Sequence, residues 1–220
     1  MVARSGPRDE GTASRILDVA EQLVQVRGFN GFSYADIAAE LRITKAALHY
    51  HFATKADLGE ALIARYATRF NGALDAVTRD SEEGMGRWVG GGGTAAGAKL
   101  AAYARLYQRV LTDRRMCLCG MLAAEYQTLP QPMQDAVISF FDHNEEWLAG
   151  VLEQGRADGS LQFTGPARDT ARMIVGGLEG AMLVARPYGD VARFQTAAAS
   201  LLAGLSPSVG ESALAGLDQP

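Results

Sequence analysis

The chain has 220 residues, of which 48% are hydrophobic, so it can bury a core of ordinary size in one large or two modest domains. The net charge of the whole chain is −4, which argues weakly against a nucleic-acid partner. It contains no apolar run of about 20 residues and no secretory signal, so we expect a cytoplasmic protein without a membrane span. Abundant Ala and Gly and little Val/Ile/Thr alternation favour an all-α fold.

Charge is distributed unevenly along the chain. Residues 1–55 carry seven Lys or Arg against six Asp or Glu, a net charge of +1, whereas the remainder carries 14 against 19, a net charge of −5. Residues 42–56 include Arg42, Lys45, Lys55 and two histidines but no acidic residue. This distribution is compatible with a small DNA-binding domain attached to an acidic regulatory domain.

The N-terminus is predicted to form a flexible arm and then a helix. Residues 1–11 are polar and include Gly6 and Pro7, which is typical of a mobile terminus. Apolar residues then recur at helical spacing between Ile16 and Val24. They predict a helix over residues 12–27 that ends at Gly28.

Three further helix starts follow within 22 residues, at Ser33, Thr44 and Thr54. Each hydroxyl residue is a suitable N-cap, and an aspartate stands three residues after Ser33 and after Thr54, as in a capping box. These signals predict two short helices joined by a tight turn and then a long helix to about residue 79. The pattern is that of a helix-turn-helix.

The second short helix carries groups suited to DNA. A helix in the major groove needs small or polar residues on the side that faces the bases, and its N-terminal N–H groups favour phosphate. Tyr50 is also compatible with a core position, and Phe52 is expected in the core. The predicted DNA contacts are Ser33, Tyr34, Thr44, Lys45, Ala46, Ala47, His49, Tyr50, His51 and Lys55.

The remainder of the chain is predicted to be a larger helical domain. Residues 80–97 are glycine-rich and predict a flexible connection, but they lack the lysine and the preceding strand of a phosphate-binding loop. Apolar periodicity predicts helices over residues 99–112, 114–129, 133–158, 166–186 and 194–205. We therefore expect a DNA-binding domain over 1–55, a regulatory and dimerisation domain over 56–205 and a disordered tail over 206–220.

Residues 15–62 resemble the TetR family of bacterial transcriptional regulators, through RILDVAEQLV, RGFNGFSYADIAAEL and ITKAALHYHFATKADL. The resemblance implies that Ser33 and Tyr34 meet the DNA backbone and that Lys55 is a clamp lysine. It also assigns the recognition helix to Lys45, Ala46, Ala47, His49, Tyr50 and His51. Two positions depart from the family pattern, because His49 stands where tyrosine is usual and Ala46 where glycine is common. Both departures bear on which bases are preferred.

Two later segments, MCLCGMLAAE and GGLEGAMLVAR, resemble a large subset of the same family. In that subset the last two long helices form a four-helix dimer interface, which here implies the helices over about 133–158 and 166–186. A two-fold dimer places its DNA-binding domains about 34–36 Å apart, so a palindromic operator is expected. The resemblance implies a homodimeric repressor that a small-molecule inducer releases from double-stranded DNA. Residues suited to close helix approach are Gly176, Gly177, Gly180 and Ala181.

The effector is expected to bind between the helices over 99–129 and the helix over 133–158. Ligand pockets are mostly apolar with a few polar groups, and the residues of these helices fit that description. Taken singly, each such residue is better explained by an ordinary core position. The candidates are Tyr103, Tyr107, Cys117, Met121, Glu125, Phe141 and Trp147.

Cys117 and Cys119 suggest a second sensing chemistry. Arg114 and Arg115 lie close by in sequence, and the first turn of a helix would lower the thiol pKa, as in sensors of electrophiles or oxidants. Ordinary buried cysteines are the alternative.

Other classes of protein receive less support. Two of the three histidines lie on the predicted recognition helix, which leaves only His143 and no catalytic constellation, so we expect no enzyme. Asp142 and Glu146 near His143 do not amount to a metal site, and neither metal nor cofactor is expected. A helical module that contacts only proteins stays open as a rival, and the salt dependence of DNA binding separates it from a DNA-binding protein.

Overall fold

The computed structural model describes residues 7–83 and 94–207, with side chains described over 11–81 and 94–207. The described residues confirm the predicted all-α fold. None of the helices in these ranges is long and apolar enough to cross a membrane. The helices are α1 (Pro7–Arg27), α2 (Tyr34–Leu41), α3 (Lys45–His51), α4 (Lys55–Glu83), α5 (Ala95–Thr112), α6 (Leu118–Ala124), α7 (Gln131–Ala157), α8 (Ala167–Ala185) and α9 (Val191–Ala203).

Several helix ends differ from the sequence-based expectation. Helix α1 begins at Pro7, within the expected arm, because proline is well suited to the first position of a helix. Helix α4 continues to Glu83, beyond the expected end near residue 79. Of the predicted arm, glycine-rich connection and tail, residues 1–6, 84–93 and 208–220 lie outside the described residues.

The single helix expected over 114–129 is instead the short α6 between two irregular segments. Arg114 adopts a left-handed backbone with φ 58°, and a 3-10 turn follows α6 at Tyr126–Thr128. The N–H of Met116 donates to the carbonyl oxygen of Gln25 at 3.2 Å, and Arg115 donates to the Gln25 side chain. Bonds to α1 thus replace the hydrogen bonds that would extend the helix.

The N-terminal helices share one apolar core. Residues from α1, α2, α3 and the start of α4 meet there, all fully buried: Ile16, Ala20, Val24, Ile37, Leu48 and Leu58. Burial of each large aliphatic side chain stabilises the fold by about 1.5–3 kcal/mol. This core fixes α3 on the outside of the domain.

Helix α4 joins the two halves of the molecule. Arg65 on α4 donates to Asp18 at 2.7 Å and to Glu21 at 3.1 Å, and Arg69 also donates to Glu21. Glu21 is buried, and these bonds satisfy its carboxylate, whose burial without partners would cost free energy. The C-terminal half of α4 packs against α5 and α7, whose core continues through α8 and α9.

Candidate nucleic-acid interface and buried polar cluster

Helix α3 is fixed by its cap and by one buried side chain. The Thr44 side chain accepts the N–H of Ala47 at 3.2 Å, as the sequence predicts for an N-cap, and Leu48 is fully buried. The outer face is therefore available to a partner, and its aromatic residue Tyr50 is 74% exposed. That exposure excludes the core position considered for Tyr50. The exposed residues are Thr44, Lys45, Ala46, His49 and Tyr50.

His49 is oriented by the backbone. Its Nδ1 lies 2.9 Å from the carbonyl oxygen of Ala53, which can only accept, so Nδ1 carries the proton. In the neutral ring, Nε2 is then an acceptor directed away from this bond. The His49 ring also contacts the ring of Tyr34, and the half-buried His51 contacts that of Tyr50.

Tyr34 has a structural role within the protein. Its buried hydroxyl lies 2.8 Å from the carbonyl oxygen of Phe52 and 2.6 Å from that of Thr54, to which it donates. Burial, together with the charge of Asp57, raises the pKa of Tyr34 to about 12. The side chain therefore holds the corner between α3 and α4. Ser33, by contrast, is exposed at the start of α2, where its N–H and hydroxyl both donate to Asp36.

Lys55 likewise faces the protein instead of solvent. Its ammonium donates to the carbonyl oxygens of Phe29 and Phe32 and lies 4.6 and 4.2 Å from the centroids of their rings. Burial lowers its pKa. Lys55 therefore fastens the loop between α1 and α2, and the contacts of Lys55 and Tyr34 with DNA stay predictions.

Arg42 belongs with the candidate contacts, although the sequence analysis left it out. It is exposed in the turn between α2 and α3 with φ 55°, two residues before Thr44. Its place in the acid-free segment 42–56 was the available signal. The left-handed backbone was not predictable, because arginine rarely adopts it.

Part of the predicted effector set forms a buried polar and aromatic cluster. The hydroxyls of Tyr103 and Tyr107 lie 3.0 Å apart, and Tyr103 donates to the Asn144 side chain at 3.0 Å. Trp147 stacks on Tyr103 with ring centroids 5.8 Å apart, and Cys117 is buried beside Tyr66, whose hydroxyl lies 3.6 Å from the sulfur. Phe141 lies at the edge of the cluster and contacts the Phe140 ring.

Met121 and Glu125 have other partners. The Glu125 carboxylate accepts the N–H groups of Phe29 and Asn30, and the Met121 sulfur lies 3.6 Å from the Arg186 guanidinium. Glu125 thus contacts the loop after α1, and Met121 contacts the segment after α8. Neither residue joins the buried cluster.

Glu179 on α8 also belongs to that cluster, although it was not among the residues predicted from the sequence. Its Oε1 is buried without a hydrogen-bond partner among the described residues, although the residue as a whole is partly exposed. Burial raises the pKa of Glu179 to about 7, and a hydrogen bond from Cys117 acts in the opposite direction. An acid in the apolar, glycine-rich stretch from Gly176 to Met182 was the available signal.

The cysteines differ from the expectation in the direction of their pKa shifts. Burial and the nearby Glu179 raise the pKa of both Cys117 and Cys119 well above the usual value, where Arg114 and Arg115 were expected to lower it. Arg114 is exposed, and Arg115 is bonded to Asp113 and Gln25. Both sulfurs are therefore neutral thiols at ordinary pH.

A short helix-turn-helix head joined by one long helix to a larger helical domain defines a DNA-binding regulator. The sequence model for bacterial regulatory proteins of the tetR family matches residues 16–62, and the tetracyclin repressor-like C-terminal domain matches residues 96–201. The chain belongs to the TetR family, and its relatives are transcriptional regulators.

Individual relatives agree with this assignment. The chain is 28% identical to the transcriptional regulator AcuR of Cereibacter sphaeroides over 73% of its own length and 69% of that protein. A TetR-family regulator from Agrobacterium tumefaciens is 30% identical, with a TM-score of 0.79 over 90% of this chain and 99% of that one. A TetR regulator from Legionella pneumophila is 29% identical, with a TM-score of 0.74 over 93% and 100%.

Proposed function

We propose that this TetR-family protein binds a palindromic operator as a homodimer and represses transcription until a small molecule binds in its C-terminal domain. The exposed face of α3 carries the proposal. Helix α3 begins with small residues and carries a cation at Lys45 and a mostly exposed Tyr50. These features match what a recognition helix needs in a major groove.

The dimer is best supported by α8 and α9. Large apolar side chains are exposed on α8, where Met173, Leu183 and Val184 are 49%, 60% and 62% exposed. A cleft of about 720 Å³ runs between α8 and α9 and is lined mostly by small or apolar residues, including Gly180 and Ala197. Such a surface suits close packing of helices from a second copy.

The sequence-based prediction pairs α8 with the helix over 133–158, which is α7. The proposed interface keeps α8 and replaces α7 with α9. The exposed positions of α7 include Asp142, His143, Glu146 and Glu153. Charged residues are depleted at the centres of interfaces, so this face of α7 is better suited to solvent.

The test is selection of operator DNA from random duplexes by the full-length protein, followed by binding measurements with variants. Lys45→Ala and Tyr50→Ala should weaken binding to the selected site by about tenfold or more, since lost base or phosphate contacts typically cost about 1–3 kcal/mol. Arg79→Ala, which removes an exposed cation on α4, is the matched control and should bind as the wild type does. Failure to enrich any sequence would instead favour the rival module that contacts only proteins.

Sensing of oxidants through Cys117 and Cys119 is disfavoured. A reactive thiol needs access and a thiolate, whereas these sulfurs are buried and have raised pKa values. We therefore place the effector function in the buried cluster around Tyr103 and Glu179.

A further inference from the structure

The carboxyl group of Glu179 on α8 lies next to Gly120 on α6. A Cβ atom added to Gly120 on α6 would come within 2.2 Å of the Glu179 Oε2, so the carboxyl group lies directly against this glycine. The cluster also draws on α4, α5 and α7, through Tyr66, Tyr107 and Asn144. The carboxyl group thus meets the aromatic centre of the domain from one side and α6 from the other.

The phenol donors of the cluster are already engaged. The Tyr66 hydroxyl donates to the Cys117 sulfur, and the Tyr103 hydroxyl donates to Asn144. Tyr107 must therefore donate to Tyr103, and the Cys117 thiol bonds to Glu179. Oε1 of Glu179 is a buried acceptor without a hydrogen-bond partner among the described residues, so a ligand that donates to it would satisfy this atom.

A cationic donor suits Oε1 of Glu179 better than a neutral one. An ionised carboxylate without a compensating charge is costly in a protein interior, and the groups that interact electrostatically with Glu179 are phenols and thiols. A cation would compensate the charge, and the faces of Tyr66 and Tyr107 add cation–π attraction. We propose that Glu179 anchors a small organic cation, an ammonium compound with an apolar body, as the effector of this protein.

This inference rests on the proposed ligand-controlled function and names the chemical class of its ligand. In this proposal, a ligand bound at the carboxylate, which lies against Gly120, moves α6 away from α8. The segment after α6 is bonded through Glu125 to the N–H of Phe29, in the loop before the helix-turn-helix. Displacement of α6 therefore reorients the DNA-binding domain, which requires that the cation bind the displaced state more tightly.

The test uses the full-length protein with ethylammonium, butylammonium and benzylammonium, each compared with its alcohol and its carboxylate. Calorimetry and thermal unfolding measure binding without DNA, and release of the selected operator is measured in parallel. At least one ammonium compound should bind about tenfold or more tightly than its neutral and anionic counterparts, the difference expected for a charge-assisted contact. The same compound should release the operator.

Glu179→Gln keeps the size of the side chain and removes its charge, and it should abolish this preference for the ammonium form. Glu146→Gln, an exposed carboxylate on α7, is the matched control and should keep it. Absence of binding by all three ammonium compounds, equal binding of the alcohols, or an unchanged preference in Glu179→Gln would overturn the inference. If operator binding persists in those cases, the proposed DNA-binding function stands and only the ligand assignment fails.

Discussion

The carboxylate of Glu125 accepts the backbone N–H of Phe29 at 2.5 Å and lies 3.3 Å from the N–H of Asn30. Gly28 makes this approach possible, because it has φ +82° and a Cβ there would lie 2.6 Å from Glu125 Oε1. Asn30 adds a side-chain bond to Thr128 at 2.7 Å. The segment that follows α6 is thereby fastened to the loop that precedes the helix-turn-helix.

Glu125→Ala should destabilise the protein and loosen this connection. Two backbone N–H groups lose a charged acceptor, so the free energy of unfolding should fall by about 1–3 kcal/mol. Denaturant titration measures the change, and Glu40→Ala, an exposed carboxylate on α2, serves as the control. Equal stability of Glu125→Ala and wild type would show that the contact contributes little.

Glu179→Gln should change how stability depends on pH. The folded protein holds the pKa of Glu179 at about 7, above the ordinary value of 4.5, so it binds this proton more tightly than the unfolded chain does. The resulting stabilisation is complete below pH 4.5 and is lost as the pH rises to about 7. The loss is on the order of 3 kcal/mol, at about 1.4 kcal/mol per pKa unit.

The measurement is denaturant unfolding of wild type and Glu179→Gln across this pH range, at one protein concentration. The stability of wild type relative to the variant should decrease as the pH rises. A difference between the two proteins that does not vary with pH would contradict the burial of an unpaired carboxyl group.

Arg42→Gly should stabilise the DNA-binding domain. Arg42 adopts φ 55°, ψ 44°, a conformation that costs a residue with a Cβ about 1–2 kcal/mol and glycine very little. Part of this gain is offset by the greater entropy of glycine in the unfolded chain, so a net gain of about 1 kcal/mol is expected. Thermal unfolding checks it against Arg42→Ala, which removes the same charge and should give no such gain. A Gly variant no more stable than the Ala variant would disprove the strain.

Gly180→Lys should break the homodimer. Gly180 lies on the exposed face of α8, and no atom lies within 4 Å of the Cβ position, so lysine fits the monomer but places a charge in the proposed interface. Gly150→Lys on α7 is the matched control, because that glycine is equally open. Sedimentation should show monomers for the first variant and dimers for the second. The opposite result would return the interface to α7.

The sequence was sufficient for the fold and for the position of the helix-turn-helix. The start signals at Ser33, Thr44 and Thr54 depend on neighbours three residues away, so local reading succeeds there. The partners of Tyr34 and Lys55 are carbonyl groups 18 to 26 residues distant, and no local pattern specifies them.

The difference between local and distant partners also explains why the effector region was predicted less well. The helical pattern around Cys117 predicted a continuous helix, but bonds from residues 115 and 116 to Gln25 on α1 override it. Glu179 could not be assigned from the sequence, because its significance comes from its burial against a helix some 60 residues earlier, where Gly120 lies. Tertiary context decided each of these positions.

The salt dependence of operator binding is the sharpest test of whether α3 binds DNA. For a selected operator, affinity of the wild type should fall steeply with salt, by roughly 10³-fold or more between ~50 and ~200 mM if six or more phosphates are contacted. Lys45→Ala should weaken binding. It should also reduce the slope of log affinity against log salt by about 2, because a dimer has one such lysine in each subunit and each would contact a phosphate. Arg79→Ala should leave this slope unchanged. An affinity that does not vary with salt, or full affinity and slope in Lys45→Ala, would contradict the account of α3 as the DNA-binding helix.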